Sequence, residues 1–231
     1  CLATPALAQD VAPNVAIPFY TSAQAAQGLY GQWYAPQSAQ LAMAAAALPT
    51  AIASYCQSQP AEQAAKLAAA QQQLRTTLRD WETVSAVTLG PLVQRRSARN
   101  IDFQPLRPAS LQKAIQTAPA DTQALERIGA PAKGFSALEH LLVQQVAAPH
   151  SGACNYAVVA AQEIAQEAKA LASEFQRLGQ TPWGEDGEAT TETMAEFINR
   201  WGGEPARARG ARPETPTERA GPAPGARHRA G

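Results

Sequence analysis

The chain has 231 residues, enough for one large domain or two small ones. Hydrophobic residues make up 45% of the composition but aromatic residues only 6%, so alanine supplies much of the apolar content and favours helices. Lys and Arg balance Asp and Glu at 19 each, which excludes a net electrostatic attraction to nucleic acid or to an anionic membrane. We therefore expect an all-α protein that does not bind nucleic acid.

The first residues predict an exported protein. Residues 1–8 resemble the end of a secretion signal, because Ala6 and Ala8 form the small-x-small pattern that precedes signal-peptidase cleavage. An alternative is that Cys1 is the lipidated first residue of a lipoprotein, which would anchor the chain to a membrane. Both interpretations predict an exported or periplasmic protein.

Residues 9–20 carry two prolines and no periodicity, so they predict an extended leader. No apolar run reaches the length of about 20 residues that crosses a bilayer, because the longest, residues 41–53, is interrupted by Pro49. We therefore expect a chain that does not span a membrane.

Apolar residues at helical spacing predict a series of helices after the leader. Thr21 or Ser22 caps the first of them, and Pro36 and Pro49 are expected to break or kink it. The predicted helices span residues 21–56, 61–88, 109–116, 121–128, 134–142, 154–178 and 190–201. The four with long apolar stripes indicate an antiparallel helical bundle over residues 21–178.

The composition changes abruptly after residue 202. Residues 188–202 are interpreted as the start of a second, incomplete helical domain. Residues 203–231 contain six arginines, three glutamates and no Leu, Ile, Val, Phe, Trp or Tyr. Such a segment buries too little apolar surface to offset its ordering entropy, so we expect it to be disordered.

Two cysteines of the body are candidates for a disulfide. Cys56 and Cys154 each lie near the end of a predicted helix, and an exported protein meets an oxidising environment. The alternative is two buried free thiols. A bridge would close a loop of about 100 residues and contribute on the order of 4 kcal/mol.

Residues 134–142 are the only stretch that places ionisable side chains within an apolar helical pattern. Leu138, Leu141 and Leu142 follow the spacing of a buried helix face, and Glu139 lies at the margin of that face. A carboxylate at such a margin can face a cleft. Glu139 and His140 can equally be ordinary boundary residues of an amphipathic helix.

Four ordered blocks between residues 42 and 201 together resemble the imelysin family. They are Trp81 with Leu89-Gly90-Pro91, Arg99-Asn100-Ile101-Asp102-Phe103-Gln104-Pro105, Lys133-Gly134-Phe135-Ser136-Ala137-Leu138-Glu139-His140-Leu141-Leu142, and Cys154-Asn155-Tyr156. The family consists of exported helical proteins that are grouped as metallopeptidases and related to a domain of EfeO-type iron-uptake proteins. The resemblance implies two helical bundles with the motif in a cleft between them, the second bundle being truncated in this chain.

The family motif is Gly-x-His-x-x-Glu, and this chain departs from it at one position. Gly134 and Glu139 match, but Ser136 stands where the family has histidine. His and Glu three residues apart on one helical face can share a metal, whereas serine is a poor metal ligand. A second departure is Gln104, where the family commonly has an aromatic residue.

The resemblance therefore implies a periplasmic protein that binds a metal or small ligand at a bundle cleft and serves iron or haem acquisition without proteolysis. Its partners would be iron or haem uptake components of the cell envelope. Glu139 would be the polar anchor, with Ser136 as a hydrogen-bonding neighbour and Gly134 allowing a tight helix start. Asp102 and Arg99 would be companions in the site, or alternatively a buried structural pair.

Two alternatives stay open. A metallopeptidase would use iron or zinc, with Glu139 and His140 as the metal residues and a further ligand from elsewhere. A purely structural or partner-binding helical module would need no ligand. The composition break after residue 202 is also what a reading-frame shift in a GC-rich gene would produce, a hypothesis that sequencing of the source locus would test.

Overall fold

The structure, a computed structural model, describes residues 20–210, and for 201–210 it describes the backbone alone. The described residues form helices and no strands, which confirms the all-α prediction. The α-helices are α1 (Ser22–Gln27), α2 (Ala35–Cys56), α3 (Gln63–Ser85), α4 (Pro91–Gln94), α5 (Ser97–Ile101), α6 (Pro108–Thr117), α7 (Thr122–Leu125), α8 (Gly134–Glu139), α9 (Gly152–Gly179) and α10 (Glu188–Gly210). Two π-helical segments, Gly28–Tyr34 and His140–Gln144, and a 3₁₀ turn, Ala130–Ala132, complete the described helical elements.

The first helix is continuous from Ser22 to Cys56 because α1, the first π-helical segment and α2 follow one another without a break. Thr21 caps it, accepting a hydrogen bond from the backbone N–H of Gln24 in a capping box, as the sequence predicts. The expected breaks at the prolines do not occur, and Pro49 lies inside α2. Its neighbours Leu48 and Ile52 are fully buried, and this packing offsets the backbone hydrogen bond that proline cannot make.

The helix α2 forms the centre of the bundle and packs most extensively against α9 and α3. The chain reverses between α2 and α3, and side-chain amides join the two helices: Gln73 Nε2 donates to the carbonyl of Ala44 at 2.8 Å, and Gln40 Nε2 donates to Asp80 Oδ1 at 3.2 Å. These contacts confirm the antiparallel bundle.

The disulfide between Cys56 and Cys154 confirms the predicted pairing and joins the end of α2 to the start of α9, with 5.6 Å between the Cα atoms. At the other end of α9, Gln27 of α1 donates a hydrogen bond from Nε2 to the carbonyl of Gly179 at 2.7 Å. The continuous helix Ser22–Cys56 and α9 therefore run antiparallel along their whole length.

Three buried tyrosines attach loops to the bundle. Tyr55 Oη donates to the carbonyl of Ala147 at 2.7 Å, and Tyr156 Oη donates to that of Ala132 at 2.7 Å. Tyr34 Oη donates to the carbonyl of Val87. Burial raises the pKa of each of these phenols, so all three are neutral donors at physiological pH.

The helix α10 packs against α1, and Phe197 lies against the bundle core. It runs to Gly210, into the segment that the sequence predicts to be disordered from residue 203. The structure thus describes residues 203–210 as the end of α10, and the predicted disorder of the tail stays a prediction. Residues 211–231 of the predicted tail lie outside the described residues, and so do the signal-peptide tail (1–8), Cys1 and residues 9–19 of the predicted leader. The start of a second domain at residue 188 stays a prediction.

By length and composition, the continuous helix Ser22–Cys56 could also cross a membrane, because its most apolar window has a mean hydropathy of 1.3. One third of that window is buried within the bundle. A buried core helix satisfies the same criterion. The expectation that the chain does not span a membrane therefore stays a prediction.

Candidate functional site

The motif helix α8 starts in close contact with the backbone of α5. Gly134 has a φ of +71°, and a Cβ atom at this position would lie 2.3 Å from the carbonyl oxygen of Ile101. Only glycine combines this left-handed backbone with such a close approach. The contact places α8 directly beside Asp102 and Phe103, the residues that follow Ile101.

Asp102 is held by a tryptophan of the second long helix. Trp81 is fully buried in α3, and its indole Nε1 donates a hydrogen bond to Asp102 Oδ2 at 2.8 Å. The ring of Phe135 from α8 packs against the same indole, with 6.3 Å between the ring centroids. Helices α3, α5 and α8 therefore meet around one carboxylate that keeps a second oxygen for other partners.

Glu139 lies at the C-terminal end of α8 and is half-buried. Partial burial raises the pKa of its carboxyl group, and the nearby carboxylates of Asp102 and Glu82 raise it further. Its ionisation is therefore less favourable in the folded protein than in the unfolded chain. A bound cation would relieve both causes, because it would compensate the lost hydration and the repulsion between carboxylates.

Ser136, the residue at the motif's histidine position, is buried and faces the loop after α5. Its Oγ donates a hydrogen bond to the carbonyl of Phe103 at 2.9 Å. The hydroxyl therefore attaches α8 to that loop. While it donates this bond, the Ser136 oxygen can still accept a hydrogen bond from a ligand.

His140 is buried directly after Glu139, in the second π-helical segment. Its Nδ1 lies 3.1 Å from Gln144 Oε1, within hydrogen-bond distance. A catalytic zinc needs three protein ligands. Within residues 20–200, whose side chains the structure describes, no group of three or more His, Cys, Asp or Glu side chains could hold a metal ion. The side chains around Glu139 and His140 therefore do not fit a resident catalytic zinc.

Arg99 is the one predicted site residue that the structure leaves exposed. It lies in α5 with its side chain exposed to solvent. Because Arg99 is exposed and Asp102 has Trp81 as its hydrogen-bond partner, the structure does not show the buried pair of Arg99 and Asp102 that was one of the two alternatives. The reason is local: α5 ends at Ile101, and Asp102 lies beyond it with extended φ, directed towards α3.

A second polar cluster was missed by the sequence analysis. It joins Arg95 to Glu167 and Glu174 of α9, and Lys133 to Glu163 of the same helix. The available signal was the spacing of these three glutamates, since residues four apart share one helical face. Their partners could not be assigned from the sequence, because Arg95 and Lys133 lie in separate loops that are distant from α9 along the chain.

The sequence model of the imelysin family, also described as peptidase M75, matches residues 33–222. The chain belongs to the imelysin family. The match confirms the resemblance drawn from the four blocks and continues beyond residue 201, where that resemblance was expected to end. It crosses the change of composition after residue 202. No curated protein matches the chain.

The fold is similar to the crystal structure of an imelysin-like protein from Psychrobacter arcticus 273-4, with a TM-score of 0.63 and 19% sequence identity. The similarity covers 81% of this chain and 59% of that protein. The chain thus spans less than two thirds of this imelysin-like relative. At such low identity the comparison establishes the shared imelysin-like fold.

Proposed function

We propose that this imelysin-family chain is an exported binding protein in which Glu139 and Asp102 bind a cationic ligand, with iron as the cargo. The observation that carries the proposal is Glu139, a half-buried carboxylate next to two further carboxylates. Such a group is costly to ionise without a cation and favourable to ionise with one. The proposed function is iron or haem acquisition in the periplasm, with uptake components of the cell envelope as partners.

The chemistry of the two carboxylates supports iron over softer metals. Oxygen ligands suit hard cations, whereas the cysteines that soft metals prefer are joined here in a disulfide. Trp81 orients Asp102 through one oxygen and leaves the other available. Water or a carried chelator supplies the remaining ligands of the ion.

Two observations favour binding over proteolysis. The motif's histidine position is Ser136, whose hydroxyl donates to the Phe103 carbonyl. Within residues 20–200, no three His, Cys, Asp or Glu side chains are arranged to hold a metal ion, so the three protein ligands of a catalytic zinc are not assembled there. The disulfide supports export, because disulfides persist in oxidising compartments.

The test is thermal unfolding of the purified protein with ferric citrate, Zn²⁺, Cu²⁺ or haem. A ligand that binds only the folded state raises the melting temperature by mass action. At about 100 times its Kd, ferric iron should raise the melting temperature by about 5 °C or more. This ligand-induced rise should disappear in Glu139→Gln and persist in Glu192→Gln, a matched change at an exposed position of α10.

The other outcomes decide between the alternatives. A rise with Zn²⁺ together with peptide cleavage, both lost in Glu139→Gln, would establish the metallopeptidase instead. A rise in the melting temperature with haem alone would show that the ligand is haem and not the ferric ion. If none of the four changes the melting temperature, the structural or partner-binding module is the correct interpretation.

A further inference from the structure

A second polar site lies on the side of α9 that carries three glutamates. A cavity of about 380 Å³ opens there, between α9, α7 and the segments around residues 95–101 and 133. Its charged lining residues are Arg95, Glu126, Lys133, Glu163 and Glu167. Glu139, Ser136 and Asp102 are not among the lining residues, so this cavity is separate from the site of the proposed function.

One half of the cavity is a closed ion-pair network. Arg95 donates to both oxygens of Glu167, from Nε at 3.0 Å and from Nη2 at 2.8 Å, and Ser97 Oγ adds a bond to Glu167 at 2.6 Å. Arg95 Nη1 pairs with Glu174 at 3.1 Å. Glu167 is buried, and these bonds satisfy both of its oxygens.

The other half is not closed. The side chain of Lys133 is only 9% exposed, and its Nζ donates to Glu163 Oε1. Glu163 Oε2 is also buried, yet none of the described residues donates a hydrogen bond to it. A buried carboxylate oxygen without a donor is costly, by an amount comparable to a lost hydrogen bond or more. The cavity beside it is large enough to admit a group that supplies the donor.

We propose that this cavity binds a small ligand through a primary ammonium group, which donates to Glu163 Oε2 while Glu126 at the rim adds a second negative charge. An ammonium group has three donors and no acceptor, as this lining requires. Three acidic and two basic side chains line the cavity, which favours a cation over an anion.

A divalent metal ion fits the cavity less well than an ammonium group. Calcium and magnesium require about six oxygen ligands. Here Glu163 Oε1 and both oxygens of Glu167 already accept from Lys133, Arg95 or Ser97. One free carboxylate oxygen and a rim carboxylate are enough to orient an ammonium group, but they leave most of a metal's coordination sphere unfilled.

The direct test is isothermal titration with ethylammonium chloride. Tetramethylammonium chloride at the same ionic strength is the matched control, because it carries the same charge without N–H donors. Ethylammonium should bind once per chain with a Kd of about 1 mM, which is the strength that three non-hydrogen atoms can reach. Tetramethylammonium should bind at least tenfold more weakly. Equal heats from both ions, or no saturable heat from ethylammonium, would overturn the proposal, and so would a Mg²⁺ ion that displaces ethylammonium.

Variants locate the site. Glu163→Gln combined with Lys133→Met removes the pair without leaving one buried charge alone, and it should raise the Kd for ethylammonium at least tenfold. Glu126→Gln, at an exposed rim position, should raise it about threefold without affecting folding. Glu174→Gln is the control, because Glu174 lies on the same helix and pairs with Arg95 but does not line the cavity.

Circular dichroism establishes that each variant is folded before titration. An unchanged Kd in both Glu126→Gln and the double variant would contradict the assignment, as would a loss in Glu174→Gln as large as that in the double variant. Glu139→Gln should bind ethylammonium as the unaltered protein does. The outcome is therefore independent of the iron-binding proposal.

Discussion

Among the individual residues, Glu139 combines a place in the family motif with a carboxyl group whose ionisation the fold opposes. Burial first, and then the carboxylates of Asp102 and Glu82, raise its pKa above the ordinary value. The side chain is partly open to solvent, so water screens part of this effect. A cation at this position would remove the cost.

The pH dependence of stability follows from the raised pKa. The folded state holds the proton of Glu139 more tightly than the unfolded state does, so this residue lowers stability as pH rises from the unfolded pKa through the folded one. Glu139→Gln should remove that loss and stabilise the protein at pH 7 by about 0.5 kcal/mol, with little effect at pH 3.5. Urea unfolding at several pH values measures it.

Glu192→Gln is the control for this experiment, because Glu192 is exposed on α10. Its stability should follow the same pH profile as the unaltered protein. If Glu139→Gln is less stable than the unaltered protein at pH 7, the carboxylate already has a stabilising partner in the folded state, and our account of its electrostatics is wrong.

Among the elements, α8 depends most strongly on one backbone contact. It begins at Gly134, whose Cα faces the backbone of Ile101 at the end of α5. The same contact carries Ser136 to the Phe103 carbonyl and brings Phe135 against Trp81. The close approach at Gly134 therefore positions the whole motif helix, including Glu139.

Gly134→Ala should destabilise the protein by about 3 kcal/mol or more. The new Cβ atom would lie 2.3 Å from the Ile101 carbonyl oxygen, and the φ of +71° adds strain of its own. Urea unfolding of the purified variant measures the change in the free energy of unfolding.

Gly28→Ala is a matched control within a helical segment. A Cβ atom at Gly28 meets no atom within 4 Å, and the φ of −62° suits any residue. Replacing a helical glycine by alanine stabilises by about 0.5 to 1 kcal/mol. Equal effects from both substitutions would show that the contact between Gly134 and Ile101 does not position α8.

In the molecule as a whole, α2 and α9 form the central pair, and one disulfide joins them at one end. The two cysteines are 98 residues apart in sequence. A covalent link over such a separation restricts the unfolded chain strongly and so stabilises the folded state. The bridge also attaches the start of α9 to the core. Glu163 and Glu167 lie further along this helix.

Cys56→Ala combined with Cys154→Ala should lower the free energy of unfolding by about 4 kcal/mol, chiefly because the unfolded chain gains conformational freedom. Urea unfolding with and without dithiothreitol measures it. The reductant should destabilise the unaltered protein by a similar amount and leave the double variant unchanged. An effect of dithiothreitol on the double variant would point to a cause other than this bridge.

Much of the architecture could be predicted from local patterns. The spacing of apolar residues located the continuous helix Ser22–Cys56, α3 and α9 to within a few residues, and Thr21 was recognised as a cap. The continuity through Pro49 could not be predicted, because it depends on how tightly Leu48 and Ile52 are packed by other helices. The helix α10 runs to Gly210, into a segment whose composition predicts disorder.

The sequence by itself determined the helices, the family, the cysteine pair and the motif residues Gly134 and Glu139, because these depend on spacing and residue type along the chain. Only the tertiary structure decided that Trp81 rather than Arg99 holds Asp102, and that Glu163 lines a cavity and has one oxygen to which none of the described residues donates. Such contacts join residues from separate elements, for example Arg95 and Glu167, which are 72 positions apart. They depend on the paths of the loops, which local propensities do not specify.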